Sequence, residues 1–278
     1  MNLPKILLFD LDETIFFSEE IKTKAWTDIL RTFGYCWEKE NVDDLTSVPK
    51  ELRPKTGLSP HDFIKELLIN LELVSPNATN EDGLESTVQE MKNQWTTSLI
   101  SWVKQFALEG EIKEVPGASS VIKEAKKNGF RIGVVTQAPV EYANEVLCYL
   151  GLIDSQNEQN NVIDALVSGD MVTNPKPDPE SLILACKLIY QKELPGNYFF
   201  GPGETVYPSP LAVIGDTSAD IDAGRRYPGT SKIIKILINS RNLTPEEVRE
   251  INPDLMINNF SGLISRLEGY KKRGVEKR

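Results

Sequence analysis

Two hydrophobic rhythms run along the chain. Four short runs, KILLF at residues 5–9, RIGVVT at 131–136, LAVIG at 211–215 and KIIKILI at 232–238, are apolar almost throughout, and each gives way to polar residues. That is the pattern of strands buried on both faces, as in a parallel sheet. Between and after them, apolar positions recur at helical spacing over 119–128, 140–150, 179–190, 219–226 and 245–250. Strands alternating with helices predict an α/β fold, a Rossmann-like parallel sheet with helices on both faces.

Residues 18–114 break that rhythm. Helical patterns at 19–33, 61–73 and 81–106 follow one another with no strand between them. The last carries Met91, Trp95, Leu99 and Trp102 at helical spacing, a stripe expected to pack against other helices rather than to hold a cofactor. The predicted organisation is therefore an α/β core domain built from residues 1–17 and 115–278, with an all-helical domain, 18–114, inserted into it. Hinges are expected near Phe17 and Glu114, where Val115-Pro116-Gly117 returns the chain to the sheet. Residues 155–161 and 192–210 are polar or rich in Pro and Gly and read as loops, and the charged tail from residue 269 reads as a solvated end.

Charge narrows the function. Forty-one acidic against thirty-one basic residues leave a net charge of −10. That balance disfavours nucleic acid and anionic membrane surfaces as partners, and points to a small ligand. An anionic ligand would need a local positive centre, from a metal ion or a few placed Lys and Arg. Cys36, Cys148 and Cys186 are far apart and form no C-x-x-C pair, which suits buried thiols in a reducing compartment. The apolar N-terminal run is interrupted by Asp10, Asp12 and Glu13, unlike a signal peptide, and no run approaches the ~18 apolar residues of a membrane span. The expectation is a cytoplasmic protein, monomer or homodimer, without nucleic-acid or membrane partners.

Six polar residues fall at or just beyond strand ends or in the loops there, where open parallel sheets bind ligands: Asp10, Asp12, Thr136, Lys176, Asp216 and Asp220. Alone, each has an ordinary explanation, such as a strand-end Thr or a solvated Lys between prolines. Together and in order, they resemble the motifs of the haloacid dehalogenase superfamily. Phe-Asp10-Leu-Asp12-Glu-Thr-Ile is similar to the first motif and Val-Val-Thr136-Gln137 to the second. Asn-Pro-Lys176-Pro-Asp-Pro is similar to the third, and Ile-Gly-Asp216-Thr-Ser-Ala-Asp220-Ile-Asp-Ala-Gly to the fourth. The likeness spans the whole α/β core.

The chemistry of phosphoryl transfer matches these residue types. It needs an in-line nucleophile, neutralised phosphate oxygens and a protonated leaving group. Asp10 is the candidate nucleophile, forming an aspartyl-phosphate. Asp12, two residues on, returns to the same side if strand alternation continues past the strand end, and there serves as general acid and base. Lys176, its backbone stiffened by flanking prolines, would hold Asp10 and the phosphate charge. Thr136, with the amides of Leu11 and Gln137, would donate to the phosphoryl oxygens. Converging carboxylates without His or Cys select Mg2+. Asp10 and Asp216 are its expected side-chain ligands, and the resemblance adds the Asp12 carbonyl and places Asp220 in the metal shell or against Lys176.

Within that family, Asp12 argues for phosphate esters over carbon–halogen bonds, and residues 18–114 resemble a small helical cap that closes over small phosphorylated metabolites such as phosphosugars. Lys22 stands at the spacing where the phosphoglucomutase branch carries a cap histidine. Lys50, Arg53 and Lys55, in a loop between cap helices, are candidate substrate contacts, as is Lys22. The only histidine, His61, sits at a helix start and is expected to be solvated or capping. Alternatives are a phosphosugar mutase, a phosphonate hydrolase using Lys22 or Lys24 as an imine-forming lysine, and a non-catalytic phosphate-binding or regulatory protein.

Overall fold

Alternation within the apolar runs determines which way each strand residue faces. The computed structural model describes residues 5–32, 60–70, 81–193, 211–228 and 233–267. Six parallel strands form one sheet in the order β3-β2-β1-β4-β5-β6. They are β1 (Lys5–Phe9), β2 (Phe130–Val135), β3 (Ala165–Val167), β4 (Ala212–Gly215), β5 (Ile234–Ile238) and β6 (Leu255–Ile257). Leu7 and Phe9 of β1 join one hydrophobic cluster, and Ile6 and Leu8 the other. Ala212 and Ile214 of β4 likewise face the first cluster and Val213 the second. Each fully buried Leu or Ile contributes about 1.5–3 kcal/mol, so a one-residue slip in register would be costly.

Helices α4 (Ala118–Lys127) and α5 (Val140–Tyr149) bury Ile122, Val146 and Leu147 in the first cluster. Helix α6 (Glu180–Glu193) and helix α7 (Ser218–Arg226) cover the opposite face through Leu182, Cys186, Ile189 and Ala223. Helix α8 (Pro245–Ile251) lies between β5 and β6 and starts with a reciprocal Thr244–Glu247 capping box. The two strands absent from the sequence reading, β3 and β6, are three residues each, too short for a periodic pattern to register.

Within residues 18–114 the described elements are α1 (Glu19–Thr32), α2 (Pro60–Asn70) and α3 (Glu81–Glu109). Val88, Met91, Trp95, Leu99 and Val103 form the buried stripe of α3. The Trp26 ring stacks on Trp95 at 4.8 Å and on Phe63 at 4.6 Å, tying the three helices together. Trp102 instead donates its indole N–H to Asp28 at 2.6 Å. The only histidine bridges α2 to α3, His61 Nε2 lying 2.5 Å from Glu85. Lys50, Arg53 and Lys55, like Cys36 and residues 194–210, lie outside the described residues.

The two connections between the sheet and this helical segment run side by side. Phe17 N–H donates to the Lys113 carbonyl and Val115 N–H to that of Ile15, both at 2.9 Å. On the sheet side, Phe9 is level with Val134 and with Ile214. Asp10, Thr136 and Asp216, one or two residues further along their chains, therefore emerge together at the carboxyl edge.

A close approach supports this edge. A Cβ added to Gly215 would lie 2.3 Å from Cβ and Cγ of Asp220, so only glycine lets the first turn of α7 sit against β4. Gly215→Ala is expected to destabilise the protein by about 1–3 kcal/mol through overpacking. Urea unfolding checks this, and an unchanged midpoint would show that α7 shifts freely.

Candidate active site

The charged centre is built around one buried ammonium. Lys176 Nζ donates to Asp10 Oδ1 at 2.6 Å, to Asp220 Oδ1 at 2.6 Å and to the Val135 carbonyl at 3.1 Å. These three acceptors match its three protons. The Gln137 side chain holds the loop in place, donating to the Lys176 carbonyl at 2.9 Å. Asp220 is the third residue of α7, and its Oδ2 accepts from Thr217 N–H at 3.1 Å and Thr217 Oγ1 at 2.6 Å. Helix capping and the charged site thus share one carboxylate.

Asp216 is nearly inaccessible and accepts from Thr14 Oγ1 at 3.3 Å, while the Arg241 guanidinium pairs with its other oxygen. Asp12 accepts from the Tyr142 hydroxyl at 2.8 Å and from Lys22 Nζ of α1 at 2.9 Å. The chain leaves its strand at Phe9, so Asp12 is placed by a tight turn rather than by continued alternation. In that turn the Leu11 carbonyl accepts Ile15 N–H at 2.7 Å, and Glu13 adopts a φ of 56°. The Glu13 carboxylate then accepts Ser18 N–H at 2.7 Å and Glu19 N–H at 3.0 Å, capping α1. Thr136 is buried, and its hydroxyl accepts from Ala138 N–H at 3.1 Å.

The structure thus joins Asp10, Lys176, Asp220 and Asp216 in one cluster and pairs Asp12 with Lys22 beside it, the Asp12 charge being felt at Asp10; Leu11, Thr136 and Gln137 take part through the hydrogen bonds just described. Lys24 lies elsewhere, its ammonium 5.0 Å from the Trp102 ring centroid, a cation–π contact within the helical segment. Sequence reasoning missed Arg241, Tyr142 and Glu13. Arg241 follows β5 at the carboxyl edge, the place that pointed to the other site residues. Tyr142 looks like an ordinary core position of an amphipathic helix.

Electrostatics explain why these groups need each other. Burial pushes the Asp10 carboxyl well above the usual carboxylate range; Lys176 opposes that rise, and Asp220, Asp216 and Asp12 add to it. Burial likewise lifts Asp216 to about 6 against the pull of Arg241. Lys176 stays charged despite burial, because Asp10 and Asp220 raise its pKa. Oxygens of Asp10, Asp216 and Asp220 lie within 4.8 Å of one another. A largely buried, oxygen-only cluster in which Asp10 and Asp216 resist ionisation suits a hard divalent cation.

The haloacid dehalogenase-like hydrolase family model matches residues 4–227. The chain belongs to that family. It is 23% identical to a phosphoglycolate phosphatase of Psychrobacter arcticus over 272 residues, covering 95% of each protein. A hydrolase from Pseudomonas syringae shares the fold at a TM-score of 0.64 and 19% identity, over 95% of this chain and 98% of that one. A β-phosphoglucomutase from Clostridium difficile does so at 0.62 and 18% identity, over 96% and 99%.

The pKa directions carry a sign. A carboxyl raised on folding binds its proton more tightly in the folded state, so the metal-free protein gains stability as pH falls through about 6 for Asp216. A cation must displace the protons on Asp216 and Asp10, so its stabilisation should grow as pH rises through about 6 and fade below it. Saturating Mg2+ near ~100 Kd is expected to add about 2.7 kcal/mol at about pH 8 and much less at about pH 5, read from melting curves. An equal gain at both would show that these carboxyls do not hold the cation.

Proposed function

We propose that the protein is a magnesium-dependent phosphatase acting on a small phosphorylated metabolite through an aspartyl-phosphate on Asp10. The observation that carries this reading is the Lys176 ammonium holding Asp10 and Asp220 at 2.6 Å each beside Asp216. That arrangement aims one carboxylate while offsetting its neighbours' charge. Asp10 attacks phosphorus through the oxygen that Lys176 does not hold. The bond from phosphorus to the leaving oxygen breaks as Asp12 protonates that oxygen. Asp12 then takes a proton from water, which attacks the phosphoryl group and frees Asp10 and inorganic phosphate.

Mg2+, held by the Asp10 and Asp216 side chains and the Asp12 carbonyl, would supply positive charge against the phosphate. Asp220, with both oxygens engaged by Lys176 and Thr217, supports that centre from behind. Thr136 and the amides of Leu11 and Gln137 stabilise the phosphoryl oxygens. Residues 18–114 serve as a cap over the core formed by 1–17 and 115–278, with Lys22 as its contact with the site and Arg53 and Lys55 as further substrate contacts. The likeness to a phosphoglycolate phosphatase supports a small anionic ester, phosphoglycolate-like or a phosphosugar. No described helix is long and apolar enough to cross a membrane, in keeping with a cytoplasmic enzyme.

The phosphonate reading needs an imine-forming lysine, and the pairing of Lys22 with Asp12 and the packing of Lys24 on Trp102 both favour charged ammoniums instead.

A panel of phosphorylated metabolites with Mg2+, followed by phosphate release, tests the proposal. Asp10→Asn should lower turnover by about 10³-fold or more, and chelation of the metal should do the same. Undiminished release by Asp10→Asn would overturn it.

A further inference from the structure

We infer that Tyr142 is a positioning residue for the acid–base step, fixing the Asp12 carboxyl so that Oδ2 faces the leaving group. This rests on the reading of Asp12 as the proton donor. Tyr142 comes from α5 of the core, and its ring is fully buried, 6.1 Å from the Phe16 ring centroid to centroid. Its hydroxyl meets Asp12 Oδ1 at 2.8 Å. The other oxygen, Oδ2, faces Lys22 from the helical segment at 2.9 Å. The two oxygens therefore have different surroundings: one accepts from a ring buried in the core, and the other faces a half-exposed lysine of the helical segment.

A buried aromatic hydroxyl suits this task better than a flexible side chain would. It has few rotamers, and its ring is held by packing on Phe16. A phenol ordinarily ionises only near pH ~10, so Tyr142 keeps its proton and acts as a donor to Asp12 Oδ1. With Oδ1 kept by that donor and Lys22 giving up Oδ2 as substrate enters, the proton passed to the leaving group travels from Oδ2 to the departing oxygen as its bond to phosphorus breaks. The same oxygen recovers a proton from the attacking water. Nothing in catalysis requires Tyr142 itself to ionise.

Leaving groups that need a proton and leaving groups that do not provide the test. Tyr142→Phe is compared with the unaltered protein on an alkyl phosphate ester from the panel and on acetyl phosphate, whose carboxylate departs unprotonated. The ratio kcat/KM reports steps up to phosphoryl transfer. General acid catalysis is typically worth about 10²–10⁴, so losing its alignment is expected to cost about tenfold on the ester and less than about twofold on acetyl phosphate. Both rates come from one preparation, so the ratio between them is independent of the fraction folded. Asp12→Asn should show the same selectivity, larger in size. Equal losses on both substrates, or no loss on the ester, would overturn the role of Tyr142 while leaving the phosphatase reading intact. An unaltered protein that hydrolyses neither substrate would remove that reading, and this inference with it.

Discussion

The buried Lys176 ammonium is the contact on which the site depends. Taking several carboxylates out of water at one sheet edge costs several kcal/mol per ion unless opposite charge and hydrogen bonds offset it. Lys176 provides both, with all three protons directed at Asp10, Asp220 and the Val135 carbonyl. The sheet order explains how one side chain reaches these partners. Strand β1 lies between β2 and β4, so Asp10 emerges at the centre, the Val135 carbonyl on one side and the Gly215–Asp220 turn on the other. Lysine alone leaves the balance incomplete. Asp216 pairs with Arg241, yet burial still holds the Asp10 and Asp216 carboxyls above their usual pKa range. A divalent cation at this cluster would add positive charge, the local centre that a protein of net charge −10 needs to bind an anion.

A second connection runs from the site to the helical segment. Glu13 caps α1 within a turn of Asp12, and one helical turn further on Lys22 returns to the Asp12 carboxylate. Ion pairs Lys92–Asp170 and Lys104–Glu145 join α3 to the core. These contacts involve exposed or half-exposed groups, each worth about 0–1 kcal/mol, whereas the two connecting chains are joined by backbone hydrogen bonds at residues 15–17 and 113–115. Apolar packing also crosses the join, since buried residues of α1, α2 and α3 belong to the same hydrophobic cluster as Leu7, Phe9 and Val146 of the core.

Much of this was legible in the sequence because the determining signals are local. Asp10 and Asp216 stand at strand ends, Lys176 in a proline-flanked loop and Asp220 in the first turn of the helix after β4, and buried strands announce themselves by continuous apolar runs. The three-residue strands β3 and β6 carry no such signal. Tyr142 was illegible for a different reason: its partner lies 130 positions away in the chain, and its own helix reads as plain core. The alternation expected to carry Asp12 past the strand end does not continue: β1 ends at Phe9 and Asp12 lies in the turn that follows. Arg241 could have been found by applying to β5 the rule already applied to β1, β2 and β4.

The most direct test of the central claim is whether phosphate becomes bonded to Asp10. Acid quenching within the first turnover, borohydride reduction and peptide mass analysis should find the Asp10 side chain converted to the alcohol that only an acyl phosphate yields. Unmodified Asp10 during a turnover that releases phosphate would contradict the account and point to direct attack by water.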